Sequence, residues 1–159
     1  MAFLWSAFAG GVTGTLVLTT MMRAASELGM TRMDLPFLLG TTITDDRRRA
    51  RAIGYAMHFV LGILFGLAYA GLFMAIGRSS WWLGALAGAL HAVFTSTVLV
   101  SVLLPVVHPR MATGDTAAHE VTLLEPPGFL MLNYGRSTFV VTLAAHVAFG
   151  AIVGACVRV

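Results

Sequence analysis

The stretch HFVLGILFG, residues 58–66, recurs in form as HVAFGAIVG, residues 146–154, and the two together decide the fold. Each lies in an apolar run far longer than the ~4–8 residues of a strand, and each sets a histidine four residues ahead of a glycine with a second glycine four further on. Residues four apart share one face of an α-helix. Gly54, His58, Gly62 and Gly66 therefore form one stripe, and Thr142, His146, Gly150 and Gly154 form another. Small residues at i and i+4 let helix backbones approach closely, which is how helices associate in lipid, where burial of apolar surface gives no drive. The repeated segment reads as a membrane helix with a packed face that carries an imidazole.

The rest of the chain agrees with that solvent. Of 159 residues, 58% are hydrophobic and 11% charged, and the mean hydropathy is +0.85; a soluble domain carries roughly a quarter charged residues. Four segments reach the ~20 apolar residues that a membrane span needs: Phe3 to Met22, Ile53 to Ile76, Trp81 to Leu104, and Phe139 to Val157. The first is expected to be retained, because no basic residue precedes it and its apolar run is too long for a signal peptide. There is no lysine, and of ten arginines all but Arg78 and Arg158 fall in the two longer loops. The positive-inside rule then places those loops in the cytoplasm and both termini outside, with Trp5, Trp81 and Trp82 at the outer interface and Tyr55 and Tyr134 at the inner one.

A net charge of +3 and a pI near 9.8 do not point to nucleic acid. The one basic run, DDRRRAR (45–51), is diluted by Asp45 and Asp46 and sits beside a span, where anionic lipid headgroups are the natural partner. Cys156 is the only cysteine, so neither an internal disulfide nor a cysteine metal cluster can form. The terminal CVRV is a poor prenylation box, since arginine occupies an aliphatic position.

The histidine segments belong to a larger repeat. AGGVTG (9–14) aligns with AGALHA (87–92) at an offset of 78, and the same offset sets TRM (31–33) on PRM (109–111). DLPFLL (34–39) matches EPPGFLML (125–132), and the histidine segments close each unit at an offset of 88. The expected fold is all-α: a four-helix membrane bundle, one transmembrane domain over residues 1–159, built from two duplicated helical hairpins (about 3–76 and 81–157). Both units begin on the same side, so the repeat is parallel, with its pseudo-two-fold along the membrane normal.

Span three carries a third stripe, Gly84, Gly88, His91 and Thr95. Gly62, Gly66, Gly84, Gly88, Gly150 and Gly154 are thus the expected packing glycines, and His58, His91 and His146 should point inward with them. His58 and His146 fall at similar depth toward the cytoplasmic side, His91 nearer the middle. Such histidines can serve as interhelical hydrogen-bond donors, worth ~0.6 kcal/mol each. Ionisable groups inside a membrane also mark metal, haem or proton sites, and imidazole suits haem, zinc, copper and iron. A proton or ion path would need acids as well. Asp34 and Glu125 occupy matching repeat positions, each before a short apolar run that suggests an interfacial or re-entrant segment, which would bring the carboxylates toward the histidine helices. His108 and His119, in the second loop, are expected on the surface.

No nucleophile elbow, Walker loop, HExxH or dinucleotide-binding glycine motif is present, and without lysine there is no Schiff-base chemistry. The ordered set TRMDLPFLLGT, HFVLGILFG, HPRM, EPPGFLMLNYG and HVAFGAIVG resembles a family of small four-span bacterial inner-membrane proteins of unknown function. The resemblance covers nearly the whole chain and implies a bacterial cytoplasmic membrane, with no activity or site attached. The expected role is non-enzymatic: an accessory, assembly or transport-associated module that packs with itself or within a larger membrane complex. Two alternatives stay open, a haem- or metal-binding redox or transfer protein using His58, His146 and His91, and a proton-coupled carrier or oligomeric channel using the same imidazoles with Asp34 and Glu125.

Overall fold

The structure, a computed structural model, describes residues 2–112 and 124–159. These are helical throughout, with no strand beyond an isolated bridge between Met111 and Leu124. Four helical stretches are long and apolar enough to cross a membrane: Ala2–Glu27, Arg47–Ile76, Trp81–Val107 and Thr138–Cys156. The first two are α1 and α3, separated by a short α2 (Leu35–Thr41). The third begins as α4 (Trp81–Phe94), widens into a π-helix over Thr95–Leu103 and ends in a turn, α5 (Leu104–Val107). A 3-10 segment (Phe129–Tyr134) leads into α6 (Thr138–Cys156).

Local chemistry sets the boundaries. Asp34 caps α2 by accepting from the Phe37 amide at 3.0 Å, Asp46 caps α3 through Arg49 at 2.7 Å, and Ser80 caps α4 through Leu83 at 3.3 Å. The basic run expected in a loop is therefore the first turn of α3. Gly29 and Gly77 end α1 and α3 at φ values of 72° and 74°. In each case the next residue bonds back five positions, Met30 to Ala25 and Arg78 to Phe73, the Schellman closure that glycine permits. The π segment precedes Pro105, which has no N–H and crowds the carbonyl four residues back. There the single hydroxyl proton of Ser101 is shared between the carbonyls of Ser96 at 2.5 Å and Gly128 at 2.7 Å, tying the widened turn to the chain ahead of α6.

Around the bundle the long helices run α3, α1, α6, α4. Three of the seams close backbone to backbone. A Cβ on Gly84 would fall on the Gly150 carbonyl, one on Gly150 on the Gly84 carbonyl, one on Gly88 on His146, and one on Gly154 on Ser80. Gly66 meets Ala7 and Gly11 of α1, Gly62 meets the Thr15 side chain, and Gly14 meets the Phe149 ring. The short α2 docks in the same manner, Gly40 on Ala50 and Gly54 on Pro36. The fourth pair, α3 and α4, meets through large side chains. Leu18, Tyr69, Phe73, Phe149 and Val153 form one core, and Met33, Leu38, Val100, Leu104, Met111 and Met131 a second at the loop end. Trp5, Leu16, Leu64, Leu90 and Val140 face outward, as lipid contact requires.

The two long connections interlock. Thr31 and Thr138 hydroxyls bond at 2.8 Å, Arg32 Nη2 donates to the Asn133 carbonyl at 2.5 Å and pairs with Glu125 at 3.3 Å, and the Arg32 amide donates to Tyr134. Reciprocally, Arg110 donates to the Thr41 carbonyl at 2.5 Å, and His108 Nε2 reaches Leu38 and Thr41 at 3.1 and 3.2 Å. His108 is thus buried at 4% exposure rather than on the surface. Its Nδ1 accepts from the Arg110 amide at 3.1 Å, so Nε2 carries the proton and donates. The expected surface residue is a clasp because the HPR turn folds back onto the end of α2. His119, Asp115 and Glu120 lie outside the described residues.

Candidate functional site

The three histidines of the spans come from three helices onto the wall of one cavity. It has a volume of about 290 Å³ and is lined by His58 of α3, His91 of α4 and His146 of α6. Thr15, Leu18, Phe65, Thr95 and Phe149 complete its inner wall. Its rim lies between α3 and the α4–α5 stretch, where Leu61, Leu103 and Val107 are exposed. The volume stands at the lower end of the ~300–1,000 Å³ of ordinary small-molecule pockets, and the wall is almost wholly apolar apart from imidazoles and hydroxyls.

Each imidazole is held differently. His91 lies 3.9 Å from the Phe65 ring centroid, and its Nδ1 is 3.2 Å from the Tyr69 hydroxyl. It meets His146 edge to face at 4.9 Å. His146 Nδ1 is 2.8 Å from the Thr142 carbonyl. A carbonyl only accepts, so this nitrogen carries the proton, and in the neutral ring Nε2 keeps a lone pair. His58, 8% exposed, has no hydrogen-bond partner among the described residues. Two hydroxyls of the π segment, Thr95 Oγ1 and Ser96 Oγ, are likewise buried and unpartnered. Leaving a buried polar atom unsatisfied costs ~1–3 kcal/mol, and one of the two, Thr95, lines the cavity with the imidazoles.

The donor set limits what the cavity can hold. Imidazoles in edge contact leave no gap for a porphyrin between His91 and His146, so that pair does not fit a haem. Among the described residues no three His, Cys, Asp or Glu side chains come together to bind a metal. Neither matched carboxylate reaches the cavity: Asp34 caps α2 and Glu125 pairs with Arg32, half exposed. The short apolar runs behind them explain why. One became α2 on the flank of α3, and the other a 3-10 turn in which Leu130 and Met131 take left-handed φ values of 51° and 60°. Beside that turn, burial pushes the Tyr134 phenol up to about 12, the Glu125 carboxylate adds to the rise and Arg32 opposes it.

Two further chambers lie toward the loop end, the smaller of them sharing His58, His146 and Thr95 with the cavity. A polar crevice of about 280 Å³ is bordered by Arg23, Glu27, Asp34, Arg51 and Tyr55. Between it and the cavity lies a chamber of about 30 Å³ walled by Met22, Met33, Met131, His58, His146 and Thr95. The sequence offered no direct signal for either. Pro105 was the only trace of the π segment. Compared with known proteins, the chain matches no family model, no curated protein and no solved structure.

Proposed function

We propose that this chain is a non-enzymatic, multi-pass protein of a bacterial cytoplasmic membrane that holds a small apolar guest inside its bundle, as an accessory or transport-associated module in a homo-oligomer or larger membrane complex. The observation that carries this reading is the convergence of imidazoles from α3, α4 and α6 on one cavity whose rim opens between exposed leucines and valine. An apolar wall with a few polar groups is the usual make-up of a ligand pocket. A seam facing lipid admits a guest without crossing water. The carrier alternative has less support, since neither Asp34, which caps α2, nor Glu125, which pairs with Arg32, lines the cavity that holds the three imidazoles.

Eight of the ten arginines lie toward the end bearing α2 and the 3-10 turn, which supports a cytoplasmic position for that end and both termini outside. We read the bundle as two fused, duplicated hairpins, α1 with α3 and α4 with α6. The reciprocal clasps support this: TRM of the first unit grips the NYG end of the second, and HPRM of the second grips the LPFLLGT element of the first.

Native mass spectrometry of the protein released from lipid nanodiscs tests the guest. A retained apolar mass is expected on the wild type and should vanish in Leu99→Trp, which fills the cavity while leaving the helix content intact. A wild type that carries nothing, or a guest indifferent to Leu99→Trp, would count against the reading.

A further inference from the structure

The small chamber between the crevice and the cavity has a donor set of its own. Three thioethers border it, Met33 and Met131 being 5% and 0% exposed and Met22 half-buried, together with the imidazoles of His58 and His146. Among the described residues no carboxylate and no thiolate lines it. Thioether is a soft donor that selects copper(I) and imidazole suits copper among other transition metals, whereas carboxylate and water suit magnesium, calcium and manganese. Neutral donors also leave the cation's own charge uncompensated inside the bundle, and burying one charge costs far less than burying two. We propose that this chamber binds a single copper(I) ion, with Met22, Met33 and Met131 as sulfur donors and His58 and His146 as nitrogen donors.

The surrounding contacts fit ligation. The bond from His146 Nδ1 to the Thr142 carbonyl, 2.8 Å, fixes the ring and leaves Nε2 as the donor atom, the outer-shell arrangement that metal-binding histidines use. The Thr142 hydroxyl lies 3.9 Å from Met22 Sδ and orients that side chain. His58 has no competing partner among the described residues. A volume of about 30 Å³ suits one ion and excludes a larger guest. Thr19, Met22 and Met33 form the wall that the chamber shares with the polar crevice. In that crevice Glu27 and Asp34 balance Arg23 and Arg51, with Arg23 and Glu27 paired at 2.8 Å.

This inference stands apart from the apolar guest, whose cavity shares the imidazoles but none of the methionines. The test is anaerobic titration of the intact protein in nanodiscs with copper(I) against bicinchoninate, together with X-ray absorption on the loaded wild type. One copper per chain with sulfur in its first shell is expected, with zinc(II) not retained. Leucine replaces methionine at nearly constant volume, so Met22→Leu, Met33→Leu and Met131→Leu should each keep the fold and weaken binding roughly tenfold or more. Met111→Leu, in the same core but off the chamber wall, should leave binding unchanged. A wild type that yields all copper to the chelator, a shell of nitrogen and oxygen alone, or a triple methionine variant that binds like the wild type would overturn the proposal; a chamber filled by water gives the first of these.

Discussion

The seam between α4 and α6 and the seam between α3 and α4 are built from the same helix and end up opposite in character. On its face toward α6, α4 presents Gly84 and Gly88, which meet the backbone of Gly150, Gly154 and His146 with no room for a methyl group. Toward α3 it presents His91, and the π segment that continues it presents Thr95 and Leu99, while α3 answers with His58, Leu61 and Phe65, leaving a cavity of about 290 Å³. The glycines of α3 do not help, because Gly62 and Gly66 are turned to Thr15, Ala7 and Gly11 of α1. Without a hydrophobic drive in lipid, a seam closes only where backbones can touch. The open seam is therefore the one where both partners spend their small residues elsewhere.

The largest expected effect comes from breaking the closed seam. Gly84→Leu or Gly150→Leu puts a side chain into backbone that cannot yield, and overpacking of this kind costs about 3 kcal/mol or more. Both variants should lose the monodisperse peak in size-exclusion chromatography, whereas Gly71→Leu, whose Cβ meets nothing, should elute as wild type. A normal Gly84→Leu protein would mean that α4 and α6 are not in backbone contact.

Gly62→Ala sits between the two extremes, because its Cβ meets the Thr15 side chain rather than backbone. A destabilisation of about 1 kcal/mol is expected, largely relieved in the Thr15→Ala/Gly62→Ala double variant, and a thermodynamic cycle measures that coupling. Additive effects would show that α1 and α3 do not meet at this point.

In the open seam the sign reverses. Thr95→Val removes an unpartnered buried hydroxyl at nearly constant shape, so thermal stability of the guest-free protein should rise by about 1 kcal/mol. A fall would reveal a partner for Thr95.

The smallest effect lies outside both seams. The Tyr134 phenol is raised to about 12 in the fold from an ordinary 10. Its contribution to stability is complete below pH 10 and is lost as pH rises toward 12. Tyr134→Phe should flatten that alkaline decline while giving up the 2.6 Å bond to the Glu125 carbonyl. An unchanged alkaline profile in the variant would assign the decline to other groups.

Much of this was legible in the residues. Hydropathy placed all four spans, since a bilayer sets a minimum apolar length, and fell short where α1 and α3 run on past the apolar run to Glu27 and from Arg47. The i, i+4 stripes picked out Gly62, Gly66, Gly84, Gly88, Gly150 and Gly154, and the structure sets each against a neighbouring helix. Which helix each stripe meets was not legible, because a glycine face is equally complementary to any other. The burial of His108 was hidden for a similar reason: only the fold-back of the HPR turn supplies its partners at Leu38 and Thr41. The fate of Asp34 turned on competition, for a carboxylate one residue ahead of a helix caps it more readily than it reaches into a membrane.

The most direct test of an open seam beside closed ones is photolabelling of the protein in native-like membranes with a short-chain alkyl diazirine, mapped by peptide mass spectrometry. Strong labelling is expected at Phe65, Leu99 and Leu103 above the lipid-exposed Leu64 and Leu90, lost in Leu99→Trp, with none at Gly84 or Gly150. Equal labelling of all outward leucines, with nothing at Phe65, would contradict it.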